Sequence, residues 1–297
     1  MREEHVPHLL KVNDLGKTDI DRLLEIAAKL ESRGVDASPP LLNGCIVGLV
    51  FGAPSIRTHS SFQAAAMRLG GRVLDVTGAH GLPYIAESIA DVIRSIDSLC
   101  QILIVRHSWS PSPMEVTDIC RTPIINAGQM HGEHPTQALA DLYTLRQVFG
   151  SLDHLAIGLV VDDPSRREVT SLRHILAAYP SITLQWFISE EADINLPQQH
   201  QIQPLTALPT LAKNLAAVYV TPSTNSVASW AHHVARCLRL AVQHNPELCL
   251  LHPLPRGAEL PTDLDHHLRS AYFREAQNGL WVRQAVLGWA LDRWETS

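Results

Sequence analysis

Ser55, Ile56, Arg57 and Thr58 stand where an apolar run gives way to an amphipathic one. The run Ile46-Val47-Gly48-Leu49-Val50-Phe51 has the unbroken apolar character of a parallel strand buried on both faces. After a short turn, Phe62, Ala65, Ala66 and Leu69 recur at helical spacing. The Ser-x-Arg-Thr group therefore falls at a helix start, where backbone N–H groups and the positive end of the dipole face outward. Such a place binds anions, and an arginine beside it adds a charge-assisted hydrogen bond. The plainer reading of the same residues is an N-cap followed by a surface arginine. Two further groups suit the same chemistry. Arg106 ends another strand-like run, and His134 precedes Pro135 at a second helix start, where an imidazole can face a ligand.

Three motifs follow one another along the chain: Ser55-Ile56-Arg57-Thr58, His134-Pro135-Thr136-Gln137-Ala138-Leu139-Ala140-Asp141, and His252-Pro253-Leu254-Pro255-Arg256. Val105-Arg106-His107, Tyr272-Phe273-Arg274 and Asn278-Gly279-Leu280-Trp281-Val282-Arg283 accompany them. Together they resemble the aspartate/ornithine carbamoyltransferase family, and its aspartate branch most closely, over nearly the whole chain. Carbamoyl transfer needs a cradle for the phosphate leaving group, electrophiles aimed at the carbonyl oxygen, and a pocket that holds the amine in line. The resemblance implies that Ser55, the Ile56 backbone, Arg57 and Thr58 cradle the phosphate of carbamoyl phosphate. It gives Thr58, Arg106 and His134 the catalytic, carbonyl-polarising role, with Gln137 at the amide end. The Leu254 and Pro255 backbone carbonyls would accept from the carbamoyl nitrogen. Arg167 would meet the acceptor's carboxylate, with Thr221, Pro222, Ser223 and Thr224 forming the acceptor loop. Read without the family, Arg167 beside Arg166 is equally a solvated helix face.

The chain departs from the family pattern at several of these positions. Ile56 replaces a hydroxyl residue, keeping only its backbone N–H. Ala53 stands where the family has a glutamate that pairs with second-domain arginines. The family's mobile loop carries a lysine that reaches a neighbouring subunit's site. The corresponding stretch here, from Gly78 to Ser88, has none, and His80 and Tyr84 bring no fixed charge at neutral pH. After Tyr219-Val220-Thr221 the aspartate branch places an arginine that grips aspartate, and here that position is Pro222. Loss of one transition-state contact costs on the order of 10²–10³ in rate. The expected reaction is therefore transfer to an amine other than aspartate. The alternatives are a catalytically degenerate paralogue acting as a binding or partner subunit, and a weak aspartate carbamoyltransferase.

Composition narrows the classes. The chain has 297 residues, enough for two α/β domains, and a formal net charge of −6. Lysine occurs only at positions 11, 17, 29 and 213, so arginine carries most positive charge, and no basic patch points to nucleic acid. No signal-type segment or membrane-length apolar stretch occurs, which predicts a cytoplasmic protein without a membrane partner. Cys45, Cys100, Cys120, Cys237 and Cys249 have no paired spacing and read as reduced core residues. The sixteen histidines include two adjacent pairs, which point in different directions on a helix, so no metal and no cofactor is expected.

These groups need elements to hold them. Apolar runs predict strands over 45–51, 72–76, 101–106 and 123–126, then over 155–161, 182–188, 216–221 and 248–251. Helical spacing predicts helices over 19–30, with Asp19 as N-cap, and over 58–70, 86–98, 135–149, 166–178, 207–212 and 226–242. The run 280–291 reads as an amphipathic helix. This β-α rhythm predicts two doubly wound parallel-sheet α/β domains, 1–149 and 150–279, with a cleft between them. The resemblance implies that the last helix, 280–297, crosses back to the first domain. It also implies a homotrimer, possibly with another subunit type.

Overall fold

A computed structural model describes residues 7–34, 37–76, 88–107, 113–129, 132–188, 201–223 and 228–293. The chain forms two compact units. One comprises Met1–Ala140 with Asn278–Ser297, and the other Asp141–Gln277.

The first unit carries a parallel sheet of β1 (Ile46–Phe51), β2 (Arg72–Asp75), β3 (Ile102–Arg106) and β4 (Ile124–Asn126), in the order β2-β1-β3-β4. Its helices are α1 (Lys17–Arg33), α2 (Ile56–Arg68), α3 (Ile89–Ile96), α4 (Pro113–Ile119) and the start of α5 (Pro135–Phe149). The central strands are almost wholly buried, as their unbroken apolar sequences require. On α2, Phe62, Ala65 and Ala66 are fully buried, and the Phe62 ring alone contributes roughly 1.5–3 kcal/mol. At Gly48, within β1, a Cβ would lie 2.7 Å from Leu103 Cδ2 and 2.9 Å from Cys100 Sγ, so the core closes against bare backbone there.

The second unit has the same core order with one more edge strand. Its strands are β5 (Ala156–Val160), β6 (Thr183–Ile188), β7 (Gln201–Pro204), β8 (Ala217–Val220) and β9 (Cys249–Leu251), ordered β7-β6-β5-β8-β9 and all parallel. The helices are α6 (Arg167–Leu176), α7 (Leu208–Leu211), α8 (Ala228–His244) and α9 (Tyr272–Ala290). Gly158 is the third residue of β5, as Gly48 is of β1. A Cβ on it would lie 3.0 Å from both Leu215 Cδ1 and Phe187 Cε2.

Both sheets reverse direction beside their first strand. The chain leaves β1 for β2 on one side and returns for β3 on the other, and it does the same around β5 with β6 and β8. Such switch points open a crevice at the carboxyl ends of the strands, where ligands bind in this fold class.

Some elements differ from expectation. The first helix begins at Lys17 with Gly16 at its N-cap, and Asp19 is its third residue, accepting from Gly16 N–H at 3.2 Å. Strand β7 and helix α4 have too little apolar periodicity to be read from sequence. The last helix starts at Tyr272, and Trp281–Ala290 is buried on every face rather than amphipathic. Two of its polar side chains are held in part: Gln284 Nε2 donates to Ser38 Oγ at 3.0 Å, and the Arg283 guanidinium lies over the Phe62 ring. The five cysteines are free and buried. Among the described residues no helix is long and apolar enough to cross a membrane, and no cluster of three metal-ligating side chains occurs.

Candidate functional site

In the first unit the predicted anion-binding residues gather at the switch point. The β1–β3 register pairs Phe51 with Arg106, and Gly52 N–H donates to Arg106 O at 2.8 Å. The turn from β1 into α2 is thus anchored to the strand end that carries Arg106. Ser55 is the N-cap of α2, yet its side chain makes no cap hydrogen bond, so Ser55 does not occupy the first-turn N–H groups. Thr58 is buried, whereas Arg57 is exposed and the Ile56 side chain is 84% exposed. The hydroxyl lost at Ile56 is therefore replaced by an apolar group facing solvent.

Arg106 and His134 are both buried and meet at Gly128. Arg106 Nη1 donates to Ala127 O at 3.0 Å. Gly128 has φ +106°, and a Cβ built there would lie 2.6 Å from Arg106 Nη1, 2.8 Å from His134 Cδ2 and 3.1 Å from His134 Nε2. The guanidinium and the imidazole therefore flank one small volume that only a glycine leaves open. Asn126 fixes this loop. Its Oδ1 accepts from Gly128 N–H at 2.8 Å, and its Nδ2 donates to Leu10 O and Glu133 O at 2.8 and 3.0 Å. Glu133 Oε2 accepts from Val12 N–H at 2.9 Å, which ties the residue before His134 to the amino-terminal segment. Thr136 Oγ1 stands 3.5 Å from His134 Nδ1. Gln137 N–H donates to His134 O at 3.0 Å. His107 lies over the β1–α2 turn, where a Gly52 Cβ would sit 2.2 Å from its Cδ2. Burial lowers its pKa and so favours the neutral ring. His59 Nε2 pairs with Asp75 Oδ2 at 2.9 Å at the edge of the same sheet.

In the second unit the remaining predicted residues lie along the corresponding edge. Thr221 follows β8, and both its N–H and its Oγ1 donate to Val160 O, at 3.1 and 3.3 Å. Pro222 and Ser223 follow it, and Thr224 lies outside the described residues, as does the stretch 77–87 that contains His80 and Tyr84. Arg166 caps α6 and donates from Nε to Asp162 Oδ1 at 3.1 Å. Arg167 donates from Nε to Glu168 Oε1 at 2.8 Å. Burial pushes the Tyr219 hydroxyl well above its ordinary pKa, and the carboxylates of Asp141, Glu275 and Glu168 add to that. Leu254 has φ +51° and precedes a cis peptide bond to Pro255. The loop is pinned from beneath: Leu254 N–H donates to His252 Nδ1 at 2.9 Å, His252 Nε2 lies 3.1 Å from Glu259 Oε1, and His252 N–H donates to Glu275 Oε2 at 3.0 Å. Because Nδ1 accepts, Nε2 carries the proton donated to Glu259. Burial would raise the Glu259 pKa, but the hydrogen bonds from His252 and from Gly257 N–H outweigh it and hold the carboxyl at about 2. Arg256 pairs with Asp265, which also accepts from the Tyr272 hydroxyl. Burial and that bond push Tyr272 up to about 12.

The comparisons with known proteins agree with this arrangement. Residues 7–147 match the profile of the aspartate/ornithine carbamoyltransferase carbamoyl-P binding domain, and residues 235–290 match that of the Asp/Orn binding domain. The chain is 32% identical to the aspartate carbamoyltransferase catalytic subunit of Haloquadratum walsbyi, over 97% of its own length and 99% of that relative's. It is 30% identical to aspartate carbamoyltransferase 1, chloroplastic, of Pisum sativum, covering 96% of the chain and 79% of the relative. The chain belongs to the aspartate/ornithine carbamoyltransferase family. Among solved structures, aspartate transcarbamoylase from Trypanosoma cruzi in complex with N-(phosphonacetyl)-L-aspartic acid superposes with a TM-score of 0.82 and 29% identity, covering 95% of each chain. The catalytic subunit of M. jannaschii aspartate transcarbamoylase gives 0.82 at 28% identity, covering 96% of this chain and 98% of that one.

Within this carbamoyltransferase fold, sequence reasoning missed the residues that aim the named ones. Gly128 and Asn126 set the Arg106–His134 approach, Glu259 holds the Leu254–Pro255 loop through His252, and Glu168 and Asp162 balance the two arginines. A glycine two residues beyond the end of β4 was the one available signal for the first of these. The others depend on side chains brought together by the fold.

Proposed function

We propose that the chain transfers the carbamoyl group of carbamoyl phosphate to an amine other than aspartate. The convergence of Arg106 and His134 on the volume beside Gly128, at the switch point that also carries the α2 N-terminus, is the observation that supports this most. In this reading the phosphate lies against the N–H groups of Ile56, Arg57 and Thr58, with Arg57 as its counter-charge. Arg106, His134 and Thr58 donate to the carbonyl oxygen, and Gln137 meets the amide. The amine lone pair attacks the carbamoyl carbon, and the carbonyl oxygen gains charge that Arg106 and His134 stabilise. The bond between the carbamoyl carbon and the bridging oxygen then breaks, inorganic phosphate leaves with that oxygen and the electron pair, and the proton shed by the amine is taken up by phosphate. The product is a ureido compound. The acceptor is taken not to be aspartate because Pro222 fills the place of the gripping arginine. The family resemblance also supports a cytoplasmic homotrimer, with room for another subunit type.

The lack of a lysine between Gly78 and Ser88 favours a second reading, a non-catalytic paralogue that acts as a binding or partner subunit. Calorimetric titration with carbamoyl phosphate, followed by colorimetric detection of ureido product over a panel of amines, separates the two. Binding with turnover on a non-aspartate amine supports transfer. Absence of carbamoyl phosphate binding refutes it, and binding without turnover on any amine supports the second reading.

A further inference from the structure

Four charged side chains, Asp162, Arg166, Arg167 and Glu168, sit at the carboxyl edge of β5, and all are largely buried. Arg166 pairs with Asp162 and Arg167 with Glu168, at 3.1 and 2.8 Å, with side-chain exposures of 21% and 15% in the second pair. Consecutive residues on a helix do not face each other. The Arg167–Glu168 contact therefore needs both side chains turned to one place and is not a by-product of helical spacing. The two cations are matched by two anions, so a carboxylate arriving at this edge meets no net positive charge and two like charges. Across the switch point, Ser223 Oγ is buried and has no hydrogen-bond partner among the described residues. Buried hydroxyls are ordinarily satisfied, so this one is suited to a ligand group. Thr221 Oγ1 spends its proton on Val160 O and keeps lone pairs for an incoming donor.

We infer that this edge selects an amine whose non-reacting end is uncharged and hydrogen-bonding, an amide or a hydroxyl, in place of a second carboxylate, and that Glu168 sets that preference. The inference rests on the carbamoyl-transfer reading for calling the bound amine an acceptor, but the binding preference stands apart from it. L-Asparagine and L-aspartate are the probes, titrated by saturation-transfer NMR against the full chain, with and without inorganic phosphate. Asparagine binds more tightly by at least about tenfold, since juxtaposed like charges are costly. Glu168→Gln narrows that ratio by strengthening aspartate. Ser223→Ala weakens asparagine without strengthening aspartate, which keeps the inference testable if the first variant folds poorly. Aspartate binding as tightly as asparagine, binding of neither, or a ratio unmoved by both substitutions overturns it. A separate titration with carbamoyl phosphate decides the transfer reading, and its failure leaves the asparagine-to-aspartate ratio as a valid test of the preference.

Discussion

Gly128→Ala adds one methyl group at a point that Arg106 and His134 already crowd. The new Cβ would lie 2.6 Å from Arg106 Nη1 and 2.8 Å from His134 Cδ2, so at least one side chain must retreat. Holding alanine at φ +106° adds backbone strain of about 1–3 kcal/mol. Displacing one charge-assisted donor removes roughly 1.5–3 kcal/mol of ligand binding. That is a loss of about tenfold to a hundredfold in affinity. Gly44→Ala is the control, because Gly44 also has positive φ, at +80°, but nothing lies within 4 Å of its Cβ position. Both variants should melt a few degrees lower, whereas only Gly128→Ala should lose carbamoyl phosphate affinity in calorimetry. Equal affinities for the parent and Gly128→Ala, or equal losses in the two variants, would refute the assignment of this volume as the ligand site.

Arg106→Gln should weaken carbamoyl phosphate binding by about tenfold or more and cut turnover by on the order of 10²–10³, read by calorimetry and ureido product formation. With saturating aspartate, N-carbamoylaspartate formation by the parent chain should stay below the ordinary enzyme range of about 1–10³ per second, and a rate within that range would restore aspartate as the acceptor. Glu259 contributes a pH dependence whose sign follows from its folded value. That value, about 2, lies below the ~4.3 of an unfolded glutamate, so its stabilisation is complete above pH ~4.3 and is lost as pH falls through 2. Glu259→Gln should lower the melting temperature at pH 7 and flatten the acid limb of the stability curve, and an unchanged acid limb would contradict it. Gly48→Ala, pressed against Leu103 and Cys100, should cost about 1–3 kcal/mol in urea unfolding.

The fold was legible where periodicity was strong. β1 was expected over 45–51 and spans Ile46–Phe51, and α5 was expected over 135–149 and spans Pro135–Phe149, because apolar runs and a proline at the first helical position mark both. Edge strand β7 reads Gln201-Ile202-Gln203-Pro204 and has no apolar face to announce it. In the last helix the burial of Trp281–Ala290 was hidden, since Arg283 and Gln284 look solvent-facing until Phe62 and Ser38 are brought beside them. The residues proposed to hold the anion were visible as motifs because each stands at an element boundary. The acid–base balance around Arg167 was not, since ion pairing at the start of α6 depends on rotamers rather than on spacing.

The helix Tyr272–Ala290 begins in one compact unit and ends in the other, and this governs the order in which the chain can mature on the ribosome. Residues 141–277 are contiguous and have their own core, so that unit can close as soon as it has emerged. The unit that starts first finishes last: its Ser38, Leu41 and Phe62 wait for Gln284, Arg293 and Arg283, which are synthesised more than two hundred residues later. Until then the nascent first unit exposes the apolar surface that Trp281–Ala290 later covers, the kind of surface that recruits chaperones. Vectorial synthesis thus favours an inverted maturation, in which the first unit becomes complete only after the helix that closes it has been made.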